Sequence, residues 1–213
     1  MAPLTAPARF ITLEGGEGVG KSTQVRALAE ALGARGVDVL VTREPGGSAG
    51  AEAIRALLLG GEAARWNAGA EALLFAAARA DHVDKTIRPA LAAGRWVLCD
   101  RFIDSTLAYQ GAADGIARDR LLALHDVGCG GLMPDRTLLL TLSEGEAMAR
   151  ARLRDAGGAD RFGARDTDYH RRVAAAFRQL AAEMPGRIRP VDATGGAETV
   201  TARLVAALED LLR

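Results

Sequence analysis

Residues 15–22, GGEGVGKS, fit the spacing G-x-x-x-x-G-K-[ST], directly after the apolar run of RFITLE (9–14) and directly before a helical pattern. That order suits a phosphate cradle: glycines let backbone N–H groups turn inward on an anion, and a helix starting near Lys21 adds its positive dipole end. The loop assigns donor-nucleotide binding to Gly15, Gly16, Glu17, Gly18, Val19, Gly20, Lys21, Ser22 and Thr23. Lys21 is expected to reach the β- and γ-phosphates, and Ser22 to give an oxygen to Mg²⁺. Of 27 basic residues only two are lysines, Lys21 and Lys85, and one of them stands in this loop. Glu17 is the anomaly, a carboxylate where negative charge has to be bound.

A second carboxylate, Asp100, ends the apolar run RWVLCD (95–100). Parallel sheets bind ligands outside the carboxyl ends of their strands, so Asp100 should lie beside the loop and help hold Mg²⁺ or its waters. Helix capping or an ion pair with Arg101 is its alternative use. Other polar sets follow the strands as well. TREPGG (42–47) is a stiff turn bearing Arg43 and Glu44. LLFAAARADH (73–82) places Phe75 and Arg79 four residues apart on one helix face, where a ring can stack on a ligand and a guanidinium can hydrogen-bond it. DRFIDSTLAYQG (100–111) gathers Arg101, Ser105, Thr106, Tyr109 and Gln110. Singly, Phe75 could be core, Arg79 a surface charge and Tyr109 a half-buried anchor. Together they converge on one sheet edge and imply a second substrate.

The elements that must position these groups are five short apolar runs: 9–14, 37–42, 95–100, 136–142 and 188–193. Helical patterns occupy roughly 21–34, 49–59, 69–93, 104–110, 118–127, 144–155, 166–183 and 197–212, with a kink or break expected at Pro89. Continuous apolar strands alternating with helices give an α/β class, a five-stranded parallel sheet with helices on both faces in the P-loop NTPase manner. One domain over 1–213 is expected, with 1–8 a flexible tail lacking the features of a signal peptide.

Acidic and basic residues balance at 27 each, so the chain is not built around counterion release from nucleic acid or an anionic membrane. No apolar run approaches the ~20 residues of a membrane span. Cys99 and Cys129 form no metal spacing, and the setting expected is a reducing cytoplasm. A guanine-reading N-K-x-D is impossible, because the one asparagine, Asn67, precedes Ala68.

With these residues in view, the chain resembles the thymidylate kinase family from about Arg9 to its C-terminus. The resemblance rests on EGGEGVGKST, TREPGG, LLFAAARADH, VLCDRFIDSTLAYQG, PDRTLLL and VDAT in unbroken order. The loop alone is shared with many families; REPGG combined with DRF…STLAYQG is far more specific. The resemblance implies ATP and dTMP as small-molecule substrates, Mg²⁺ with the donor, and a homodimer. It further implies that Phe75 stacks on thymine and Arg79 bonds its carbonyl edge. Arg101 grips the dTMP phosphate with Arg43 nearby, while Ser105, Thr106, Tyr109 and Gln110 line the pocket. Asp192, Ala193 and Thr194 resemble the adenine-holding loop, and Glu17 would accept from the deoxyribose 3′-hydroxyl or act through metal-bound water.

Because Gly18 rather than arginine follows Glu17, the chain resembles the members that supply transition-state charge from a lid. RARLRDAGGADR (150–161) is the candidate, in a lid of about 150–165, with Arg161, then Arg154 and Arg152, as catalytic arginines beside Lys21 and Arg101. A solvated basic helix end is the plainer use of that segment. The reaction expected is ATP + dTMP → ADP + dTDP by in-line transfer. A kinase of another nucleoside monophosphate, or a non-catalytic ATP-binding module, stands as the alternative.

Overall fold

The computed structural model of the chain describes residues 7–61, 65–154, 163 and 165–212, with backbone alone for 151–154. Five parallel strands, β1 (Phe10–Glu14), β2 (Val39–Arg43), β3 (Trp96–Asp100), β4 (Arg136–Thr141) and β5 (Ile188–Asp192), pair in the order β2-β3-β1-β4-β5. β1 is central and buried along its whole length, which is why its sequence is largely apolar and its one internal polar side chain, Thr12, is hydrogen-bonded to Thr137 at 2.8 Å. Leu13 lies in register with both Asp100 and Leu138, so the first glycines of the loop emerge level with the end of β3.

Successive strand residues feed opposite layers. Ile11, Leu13, Leu98, Leu138 and Leu140 face the layer containing α1 (Lys21–Gly33) and the helix over Ala197–Ala206. Phe10, Val97, Cys99 and Leu139 face the opposite layer, which holds Ala72, Leu121, Val173 and Phe177 from other helices. In chain order the remaining helices are α2 (Ala49–Leu59), α3 (Ala68–His82), α4 (Arg88–Ala92), α5 (Ile103–Thr106), α6 (Arg118–Cys129), α7 (Glu144–Arg154), α8 (Thr167–Glu183) and α9 (Ala197–Ala206). Ser48, Asn67 and Asp166 cap α2, α3 and α8 by accepting from the N–H three residues on.

The helix expected over 69–93 does not break at Pro89. It widens into a π-helical stretch, Val83–Ile87, and Pro89 falls in the first turn of α4. Proline lacks an N–H and its ring crowds the carbonyl four residues back, here Lys85; a wider turn just before it relieves both conflicts. The segment expected as one helix over 104–110 is likewise α5 followed by a π-helical stretch, Leu107–Ala113. At the C-terminus α9 stops at Ala206, short of the expected 212. The chain continues through turns bonded three residues back, as in Leu208 N–H to Val205. Those turns bury Leu208 and set Asp210 against Arg136, so tertiary contacts override helical periodicity there.

Among the described residues, no helix is long and apolar enough to cross a membrane.

Candidate active site

The glycine loop leaves β1 at Gly15, whose φ of +136° and whose position 2.6 Å (from a would-be Cβ) off the Leu140 carbonyl admit no side chain. α1 starts at Lys21 with no side-chain cap at its N-terminus, so its first N–H groups remain available to an anion. Lys21 Nζ donates to the carbonyls of Gly15 (3.0 Å) and Gly16 (2.7 Å), which turns those oxygens toward the ammonium. Burial, then the charge of Arg101, lowers the Lys21 pKa to about 8 against the pull of Glu17, Asp100 and Glu14. Ser22 Oγ donates to Asp100 Oδ2 at 2.9 Å, joining the two residues expected to hold a metal. Asp100 Oδ1 is buried and, among the described residues, has no partner. An orphaned carboxylate oxygen beside a hydroxyl fits a hard divalent cation such as Mg²⁺.

Arg101 stands where the loop meets the polar residues after β3. It is the one non-glycine with positive φ, +71°, among the described residues, a conformation that survives only where its surroundings over-determine it. The guanidinium provides that: it donates to Glu17 at 2.5 Å and to Gly15 O and Ser105 Oγ at 3.2 Å each. It also lies over the Tyr109 ring, 5.1 Å from the centroid, and the Tyr109 hydroxyl reaches Glu17 at 3.3 Å. The acid in the cradle therefore points away from the loop's N–H groups, toward these residues.

Beyond Arg101, Phe75 and Arg79 line one wall of the cleft and Thr106, Tyr109 and Gln110 the other. Arg79 is no surface charge: it is 3% exposed. Its Nε donates to Glu44 at 2.8 Å and one terminal nitrogen to Thr106 Oγ1 at 2.7 Å, over the face of Phe102. His82 Nδ1, 3.1 Å from the other Glu44 oxygen, completes the brace. Arg43 lies at the rim, paired with Glu52 at 2.9 Å.

The whole cleft encloses about 780 Å³ and continues past Lys21 to Ala193, Gly195 and Val200. Of the expected adenine loop, Ala193 lines it. Asp192 instead accepts from the Thr194 N–H and hydroxyl at 3.0 and 2.7 Å, and so closes its own turn. Arg150 also lines the cleft and reaches the Ala193 carbonyl at 3.4 Å. The side chains of Arg152 and Arg154, and all of Arg161, lie outside the described residues.

Among the described residues the buried carboxylates Glu14, Glu71 and Asp104 were not foreseen from the sequence, and Glu44 was foreseen only as part of a turn. Glu14 carried a signal, a charge ending an otherwise apolar strand. It accepts from the Phe102 N–H (2.8 Å), the Ser105 N–H (3.2 Å) and the Ser105 hydroxyl (2.6 Å), and so pins the turn that presents Arg101. Burial, with Asp104 adding to it, pushes its carboxyl up to about 7. Between about 4.5 and 7 the folded protein keeps a proton that the unfolded chain has lost, so stability falls as pH rises through that window. The total is on the order of 3 kcal/mol. Glu14→Gln is therefore expected to flatten the pH dependence of the urea-unfolding free energy from pH 5 to 8 and to be the more stable form at pH 8. An unchanged slope would assign that dependence elsewhere.

The family described as thymidylate kinase matches residues 13–204. A thymidylate kinase of Rhizorhabdus wittichii is 62% identical over 97% of this chain and 99% of that protein. One of Nitrobacter hamburgensis is 51% identical over 95% and 88% respectively. A crystal structure of thymidylate kinase from Ehrlichia chaffeensis superposes with a TM-score of 0.78 at 31% identity, covering 95% of this chain and all of that one.

Proposed function

Because the chain belongs to the thymidylate kinase family, we propose that the two ends of its cleft divide two substrates, ATP at the glycine loop and dTMP between Phe75 and the 103–113 segment. The enzyme phosphorylates dTMP to dTDP with ATP as donor, a kinase reaction of nucleotide biosynthesis. The observation that carries the division is the Arg101–Glu17 pair: a cation for the acceptor phosphate, locked to an acid that faces the acceptor side.

In this reading a dTMP phosphate oxygen attacks the γ-phosphorus in line, the bond from that phosphorus to the β-bridging oxygen breaks, and ADP leaves. The nucleophile is already anionic, so no general base is required, and catalysis is positioning with charge stabilisation. Lys21 and the loop N–H groups meet the donor phosphates, with Gly15, Gly16, Gly18, Val19, Gly20 and Thr23 shaping the cradle. Ser22 and Asp100 would hold Mg²⁺, which supplies charge neutralisation on the phosphate oxygens. Arg101 with Ser105, and Arg43 from the rim, take the acceptor phosphate. Glu17 takes the 3′-hydroxyl and Tyr109 packs on the deoxyribose. Phe75, Arg79, Thr106 and Gln110 take the base, and the turn Asp192–Thr194 takes adenine. Arg161, Arg154 and Arg152 supply further charge from a lid over about 150–165; the contact of Arg150 with Ala193 supports a segment that folds over the donor.

We also read the chain as one cytoplasmic domain, with residues 1–8 a tail, that works as a homodimer. Exposed Leu73 (58%) on α3 and Val127 (88%) on α6 support a partner at that face.

Phe75→Ala tests the layout. Loss of base stacking is worth ~1–3 kcal/mol, so KM for dTMP should rise roughly ten- to hundredfold. KM for ATP should stay within about twofold; equal rises in both would end the two-ended assignment.

A further inference from the structure

Two rungs join α3 to the 103–113 segment, one on each side of Phe75. Arg79 donates to Thr106 at 2.7 Å, and Gln110 Nε2 donates to Glu71 Oε1 at 2.9 Å. Glu71, Phe75 and Arg79 stand four residues apart and share one helix face, as Thr106 and Gln110 do on theirs. Glu71 is completely buried. Arg165 lies 3.2 and 3.0 Å from its two oxygens and is itself held by Asp114 at 2.7 Å. None of the chemistry above uses Glu71.

We propose that Glu71 is a specificity-determining positioning residue: it fixes the Gln110 amide so that its carbonyl oxygen faces the base, and the pocket thereby selects an imide N–H, as in thymine, over the ring-nitrogen acceptor of cytosine. A carboxylate paired with a guanidinium only accepts hydrogen bonds, so the neighbouring amide must turn its nitrogen toward it. Charge logic alone settles the orientation. Gln110 lines the cleft, and its oxygen is the amide atom left on the side away from Glu71. Thymine offers that oxygen a proton, whereas cytosine brings a lone pair against it. A buried polar mismatch rejects a substrate more strongly than lost packing does. The inference rests on the base standing beside Phe75, as proposed above.

The test compares kcat/KM for dTMP and dCMP. Glu71→Gln keeps the shape but can donate as well as accept, which frees Gln110 to turn over. The dTMP-to-dCMP ratio is then expected to fall about tenfold, the worth of one neutral hydrogen bond, through KM rather than kcat. Arg79 keeps its donors in this variant, so discrimination is reduced and not abolished. Arg165→Gln leaves a carboxylate at 71 and should hold the ratio within about twofold even with a lower Tm. An unchanged ratio in Glu71→Gln, or an equal fall in Arg165→Gln, overturns the proposal. Gln110→Leu separates it from the base-site reading: a ratio unmoved by that variant means Gln110 does not read the base, and the pocket assignment itself is wrong. In the unaltered protein the Gln110 amide protons, identified by their loss in Gln110→Leu, should be protected from solvent exchange with and without dTMP. Rapid exchange overturns the proposal even where Glu71→Gln does not fold.

Discussion

Lys21→Met is expected to lower kcat/KM for ATP roughly a thousandfold, because a unit charge ~4 Å from a phosphate oxygen at an effective dielectric near 20 is worth ~4 kcal/mol. Methionine matches lysine in length and lacks only the charge. The two loop carbonyls that hold the ammonium, Gly15 and Gly16, lose a donor, but the loop keeps its glycine geometry. Steady-state kinetics with circular dichroism as a control for folding would measure this, and a loss under about tenfold would remove Lys21 from the centre of the chemistry. The pH profile is a second check. With a Lys21 pKa of about 8, free-enzyme kcat/KM for ATP should decline above that pH as the ammonium loses its proton, and the residual rate of the methionine variant should lack that limb.

The second large effect is expected at Arg101, even for the charge-conserving change to lysine. One ammonium cannot reproduce a planar fork that meets Glu17, Gly15 O and Ser105 Oγ at once. Losing one or two charge-assisted bonds, at ~1.5–3 kcal/mol each, predicts a fall of about a hundredfold or more in kcat/KM for dTMP. The backbone compounds the loss: the left-handed conformation at 101 costs ~1–3 kcal/mol, and the side-chain contacts that justify it would be gone. KM for ATP should change little. A fall under about fivefold would move the acceptor phosphate to Arg43.

Much of this arrangement was legible in the sequence for a local reason. The five strands were found within about two residues: β1, β3 and β4 because a strand buried on both faces writes itself as a largely apolar run, and the more exposed edge strands β2 and β5 because short apolar stretches still set them off from the helices. The loop was legible because its chemistry needs contiguous residues. Phe75 and Arg79 could be placed on the cleft because helix geometry lets spacing stand for direction, and Thr106 and Gln110 because they follow β3 at the carboxyl edge of the sheet. What escaped notice acts across the chain. Glu14 matters through Phe102, 88 residues on, and Glu71 through Arg165, 94 residues on. No local pattern encodes such a pairing. The Asp192 side chain acts locally instead, since a short polar residue bonds most readily to its own turn.

The strand order also dictates when the molecule can assemble. β1 is the first strand made, yet its ladder partners are residues 97–100 and 136–139, so it has no neighbour until nearly half of the chain exists and is not flanked on both sides until about two-thirds does. Gly15 needs the backbone at Leu140 beside it before the phosphate loop has its shape. During synthesis from the N-terminus, the most chemically committed segment is thus among the last to find its place. Long-range parallel pairing of this kind slows folding, because loop closure must be met before the contacts reward it. An apolar N-terminal strand waiting unpaired is also the stretch most exposed to wrong partners, including other nascent copies of itself.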